Sequence, residues 1–177
     1  MHQFLASLVL CSVLLSGCYR EPEPSAGILA PSGPVRIVSL APNITEAVCA
    51  VGAGDLLVGR TSVCNYPPEI CDTVPVIGGF GKPSLELLAK AQPTLVLEAD
   101  LADESVGRQL EAMGVRRHRI VCRGLNDIPS MLREIGKLTG NEADARELAA
   151  ALSRRLLELR AAEVPSPRPS VYAEIWH

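Results

Sequence analysis

The chain is poor in aromatic residues, in histidine and in surplus charge. Its 177 residues include two Phe, three Tyr and one Trp, 3% of the total. The net charge is −3. That balance supplies no broad cationic surface, so nucleic acid is not expected as a partner. The only histidines are His2, His118 and His177. With two of them at the chain ends, no Ser-His-Asp or Cys-His constellation is legible, which argues against a histidine-dependent hydrolase. Phosphate loops are missing too. In GGFGKPS at residues 78–84 the required first glycine falls at Val76, and Pro83 replaces the hydroxyl residue that would hold magnesium. Gly52, Gly54 and Gly59 leave a helix rather than enter one, so they fail as a dinucleotide fingerprint. Long apolar runs are absent except at residues 4–15. That run is too short to span a bilayer and fits the core of an export signal.

After the export signal, Leu15-Ser16-Gly17-Cys18 reads as a lipoprotein cleavage box, with residues 1–17 removed and Cys18 acylated. The mature chain is then extracytoplasmic and membrane-anchored. Residues 18–34, rich in Pro, Glu, Gly and Ser, read as a flexible tether. What remains, about 140 residues, is one domain by length and can bury a core without staples. Cys64 and Cys71 flank a loop. In an exported protein such a pair reads as a disulfide rather than a metal site, because no further Cys or His pair completes a zinc set. Closing it would stabilise by about 2.5 kcal/mol on the chain-entropy account. Cys49 and Cys122 read as buried thiols.

The period of the apolar residues predicts an α/β fold. Residues 35–40, 56–59, 94–98 and 119–122 read as strands, the first a β-branched run suited to a buried parallel sheet. Between them, Asn43 with Glu46 forms a capping-box pattern before Ile44, Ala47, Val48 and Val51. Ser84 caps a second helix carrying Leu85, Leu88 and Ala89 inward, and residues 105–113 form a third. Alternation of this kind implies βαβ crossovers and a parallel, Rossmann-like sheet covered on both faces. Arg116 to Arg119 reads as a solvated basic turn before the last of these strands. Residues 127–139 are helical, and residues 141–162 form a longer helix with Ala145, Leu148, Ala149, Leu152, Leu156 and Leu159 in its stripe. Prolines 165, 167 and 169 stop it, and residues 170–176 read as one more strand.

Three segments, RIVSLAPNITE (36–46), NYPP (65–68) and GGFGKPSLE (78–86), occur in the order in which they occur in one family. The chain resembles the cobalamin and ferric-siderophore class of periplasmic binding proteins, the receptors of ABC importers. The resemblance implies a first ligand-binding lobe at 35–140, a spine helix at 141–164, and at 165–177 a linker with the first strand of an incomplete second lobe. It implies ligand contacts at Pro42, Tyr66, Gly79, Phe80 and Trp176, and permease docking through Glu86. The cargo would be cobalamin or a similar metal chelate, with a ferric siderophore or haem as the alternative, and no resident cofactor or catalysis. Where cobalamin-binding members carry a tryptophan, this chain has Phe80, and Val63 stands where some carry another aromatic. With half of a two-walled cleft, an isolated lobe would bind weakly. A different class, an exported thiol or metal-dependent enzyme using Cys64, Cys71 and Glu69, stays open on residue types alone.

Overall fold

The computed structural model describes residues 34–80, 82–100, 104–162, 167–168 and 170–173. The signal segment, Cys18, most of the tether and Trp176 lie outside the described residues. Six strands form one sheet: β1 (Ile37–Ser39), β2 (Leu57–Thr61), β3 (Val76–Gly79), β4 (Lys82–Pro83), β5 (Leu95–Ala99) and β6 (Arg117–Ile120). Their order is β4-β3-β2-β1-β5-β6, and every pairing is parallel except the β3–β4 hairpin. The strand order reverses at β1, whose two neighbours are β2 and β5. In open parallel sheets the crevice beyond the strands' carboxyl ends at such a point is where ligands bind.

Apolar residues on alternate sides of the central strands bury two clusters. Ile37, Leu95, Leu97 and Ile120 pack with α1 (Pro42–Ala50) and α5 (Ile128–Thr139) on one face. Val38, Val96 and Ile77 pack with Leu88 of α3 (Leu85–Ala91) and Leu110 of α4 (Glu104–Ala112) on the other. Helix α6 (Glu142–Ala161) lies along α5, its Ala145 and Ala149 fully buried. At 1.5 Å per residue its 20 residues span about 30 Å.

Several expectations change. Helix α1 starts at Pro42 with Ala41 as its cap and no side-chain capping bond, so Asn43 lies inside the first turn instead of forming a capping box. Proline at the first helical position has no N–H to satisfy, which removes the need for the Asn oxygen. In α3 the Ser84 hydroxyl does cap, accepting from Leu87 N–H at 3.4 Å, but only Leu88 is buried. Leu85 and Ala89 face solvent because this short helix covers the sheet with a single turn. Leu159 is 57% exposed, since α5 covers only the first half of α6. The basic stretch is not a solvated turn: Arg117 and Arg119 lie within β6 and face carboxylates. The described part of the last expected strand, residues 170–173, forms no strand.

Candidate functional site

The carboxyl ends of the strands gather the expected binding residues. Pro42 follows β1 and is half-buried at the start of α1. Tyr66 stands on the loop after β2, 60% exposed. Gly79 ends β3, and Phe80, 40% exposed, stands at the tip of the β3–β4 hairpin. Gly78 makes that tip possible. Its φ is +149°, and a Cβ there would sit 2.4 Å from the Lys82 carbonyl oxygen, so only glycine lets the hairpin fold so tightly beneath Phe80. Large apolar side chains left in solvent cost free energy unless something covers them, and Val63, Tyr66 and Phe80 are uncovered at this edge. Val121 and Leu125, on the segment after β6, are exposed beside the same sheet end. Sequence reasoning missed both; an apolar pair just past a strand's carboxyl end was the available signal. Glu86 is exposed in the first turn of α3, where a carboxylate also complements the helix dipole.

Cys64 and Cys71 are free thiols, so the expected disulfide is not present. The reason is local. Cys64 Sγ is buried and lies 3.1 Å from both the Thr45 and the Thr61 hydroxyls, while Thr45 Oγ1 also donates to Ser39 Oγ at 2.8 Å. This knot ties the end of β1, the first turn of α1 and the end of β2 together. Cys71 lies on α2 (Pro68–Thr73), a helix hidden within the expected loop, and its Sγ approaches the Cys64 carbonyl oxygen at 3.6 Å instead of the sulfur. Among the described residues Cys64, Cys71 and Glu69 do not form a metal-holding group. Cys49, half-buried rather than fully so, has its thiol pKa raised by burial first and then by Glu46 and Glu69.

Beside this loop, in β2, stands a residue that sequence reasoning passed over. Arg60, near the end of β2, is 8% exposed. Its Nε donates to the Val74 carbonyl at 3.0 Å, Nη1 to Cys64 at 2.9 Å and Nη2 to Cys71 at 2.8 Å.

A second charged cluster stands between β5, β6 and α4. Glu98 is fully buried, with Oε1 accepting from Arg117 Nη1 at 2.9 Å and from Arg119 Nε at 3.2 Å. Glu104 Oε1 lies 2.6 Å from Arg119 Nη2, and that hydrogen bond is the main cause holding the Glu104 carboxyl below its usual range. Glu111 accepts from Arg117 Nε at 2.8 Å. The cluster clamps α4 to the edge strand. A separate recess of about 570 Å³, lined in part by Cys49, Asp55, Leu57, Glu69 and Thr73, lies on the outer flank between α1 and α2, and reaches the amino end of β2.

Comparison with known proteins agrees with this geometry. The periplasmic binding protein family matches residues 37–169. The vitamin B12-binding protein of Pectobacterium atrosepticum is 29% identical over 133 residues, covering 73% of this chain and 47% of that protein. An uncharacterised ABC transporter substrate-binding lipoprotein of Bacillus subtilis is 25% identical over 179 residues, 88% of this chain and 56% of that one. The periplasmic haem-binding protein of Roseiflexus sp. RS-1 superposes with a TM-score of 0.61 at 31% identity, over 75% of this chain and 53% of that chain. The chain thus spans about half the length of the curated relatives it matches. The match over residues 37–169, on a mostly parallel sheet, places this chain in the periplasmic binding protein family.

Proposed function

We propose that the chain is the extracytoplasmic capture subunit, or the amino-terminal part of one, of an ABC importer for cobalamin. The observation that carries this reading is the placement of Tyr66 and Phe80. A chain with 3% aromatic residues leaves two of them uncovered at the one sheet edge where this fold takes ligands. Planar macrocycles are held by such faces and by apolar edges with few polar contacts. The cobalamin-type relatives support the choice of cargo. Haem is the second reading, favoured by the similarity to the Roseiflexus structure and by Phe80 standing in place of a tryptophan and Val63 in place of an aromatic. A ferric siderophore is the third. Pro42 and Gly79 would contact the ligand through backbone and ring edges, and Trp176 would add another wall.

Exposed Glu86 is the docking contact for the permease, and Cys18 the acylated anchor. The Bacillus relative, an ABC transporter substrate-binding lipoprotein, supports both partners. The role is capture and release, not turnover.

Titration of cyanocobalamin, haemin and a ferric siderophore, followed by visible absorbance, tests the reading. One of the three should bind saturably at one per chain. Phe80→Ala should weaken that binding about tenfold, in line with about 1.4 kcal/mol for a lost aromatic contact, at unchanged melting temperature. Equal affinity of the variant and the parent would remove Phe80 from the site.

A further inference from the structure

Arg60 is buried with no carboxylate in salt-bridge reach among the described residues. Removing a guanidinium from water is costly, and an apolar side chain of similar volume would avoid that cost. What the guanidinium touches offsets that cost: four backbone carbonyls that an apolar side chain would leave unpaired. Cys64 and Thr61 supply carbonyls from the outgoing arm of the loop after β2, at 2.9 and 3.4 Å from Nη1. Cys71 and Val74 supply them from the returning arm, at the carboxyl end of α2, where the helix dipole favours a cation. The planar fork thus closes one arm on the other, and Tyr66 stands on the crest between them.

We propose that Arg60 is a positioning residue for ligand capture: its guanidinium holds the two arms of the 62–74 loop together and so fixes where Tyr66 meets the ligand. The role rests on the capture reading above. A lysine at this position keeps the charge but is a point donor on a flexible stem, without the rigid fork that reaches four carbonyls on the two arms. The loop then opens locally while the sheet, whose core Arg60 does not join, stays closed.

The test is Arg60→Lys, with Arg60→Gln as the second variant should the lysine chain fail to fold by circular dichroism. Amide hydrogen exchange without ligand should rise at least tenfold in residues 62–74 and stay unchanged in β1 and β5. Cyanocobalamin, or haemin if that is the ligand bound, should dissociate about tenfold faster. In a Tyr66→Ala background the substitution at 60 should have almost no further effect on affinity, because groups that act through one another are not additive. Unaltered exchange in the loop would overturn the proposal. So would an equal loss of affinity with and without Tyr66, since that marks a merely structural role. If the parent chain binds none of cyanocobalamin, haemin and a ferric siderophore, the capture reading itself fails and this role with it, a result distinct from a parent that binds and a variant that binds equally well.

Discussion

Gly136→Leu is expected to strip α5 and α6 apart and to lower stability by about 3 kcal/mol, the upper end for overpacking a filled core. The two helices pack tightly at this position. A Cβ on residue 136 would lie 2.3 Å from Ala145 Cβ and 3.1 Å from the Asn141 carbonyl oxygen. Glycine inside a helix ordinarily costs about 1 kcal/mol relative to alanine, so an uncrowded site would gain from substitution. Gly136→Ala separates the two effects. It should destabilise alone, and the swap Gly136→Ala with Ala145→Gly should recover most of the loss, because the crowding is between those two carbons. Urea midpoints with unchanged slope decide it. A stabilising Gly136→Ala would show that the helices can move apart freely.

The second large effect is expected from Glu98→Ala. Its carboxylate is the buried centre of a cluster whose arginines, 117 and 119, stay partly in solvent. Removing it leaves two cations facing one another with only Glu104 and Glu111 at the rim. Breaking one side of a buried pair costs about 3 kcal/mol. The partly exposed arginines can swing outward, so the loss should fall at or below that figure. Replacing the group together, Glu98→Leu with Arg117→Met and Arg119→Met, should return the urea midpoint close to that of the parent, since apolar packing avoids the desolvation of charge. A single variant within 0.5 kcal/mol of the parent, a threshold set by ordinary surface substitutions, would mean that the cluster does not clamp α4.

What the sequence disclosed and what it hid divide along physical lines. Helices α5 and α6 were legible because each repeats its apolar stripe over three or more turns, and Gly140 between them takes the left-handed conformation expected of a helix end. Strands β1 and β5 were legible as continuous β-branched and leucine runs. Helix α2, of 6 residues, has too few turns to show a period, and its Pro67-Pro68 start imitates a loop. The β3–β4 hairpin escaped notice because β4 is only 2 residues long and one of them is proline. Arg117 and Arg119 looked solvated because their partner, Glu98, is 19 and 21 residues away and meets them only through the parallel β5–β6 register. The disulfide was inferred from spacing, but thiol direction is set by threonines 45 and 61, which no spacing rule contains. Arg60 was invisible for a related reason: its partners are backbone carbonyls.

Of the residues expected to contact ligand, Pro42, Tyr66, Gly79 and Phe80 lie at one sheet end, because each ends a strand or stands on the segment that leaves one. The same logic would have added Val121 and Leu125.

The most direct measurement is a hydrogen-exchange footprint of the chain saturated with whichever of cyanocobalamin, haemin or ferric siderophore it binds. Capture at the carboxyl edge predicts slowed exchange in residues 62–67, 79–80 and 121–125, with little change around the recess lined by Cys49, Glu69 and Thr73. Protection confined to that recess, or none at the three edge segments under saturating ligand, would contradict the account.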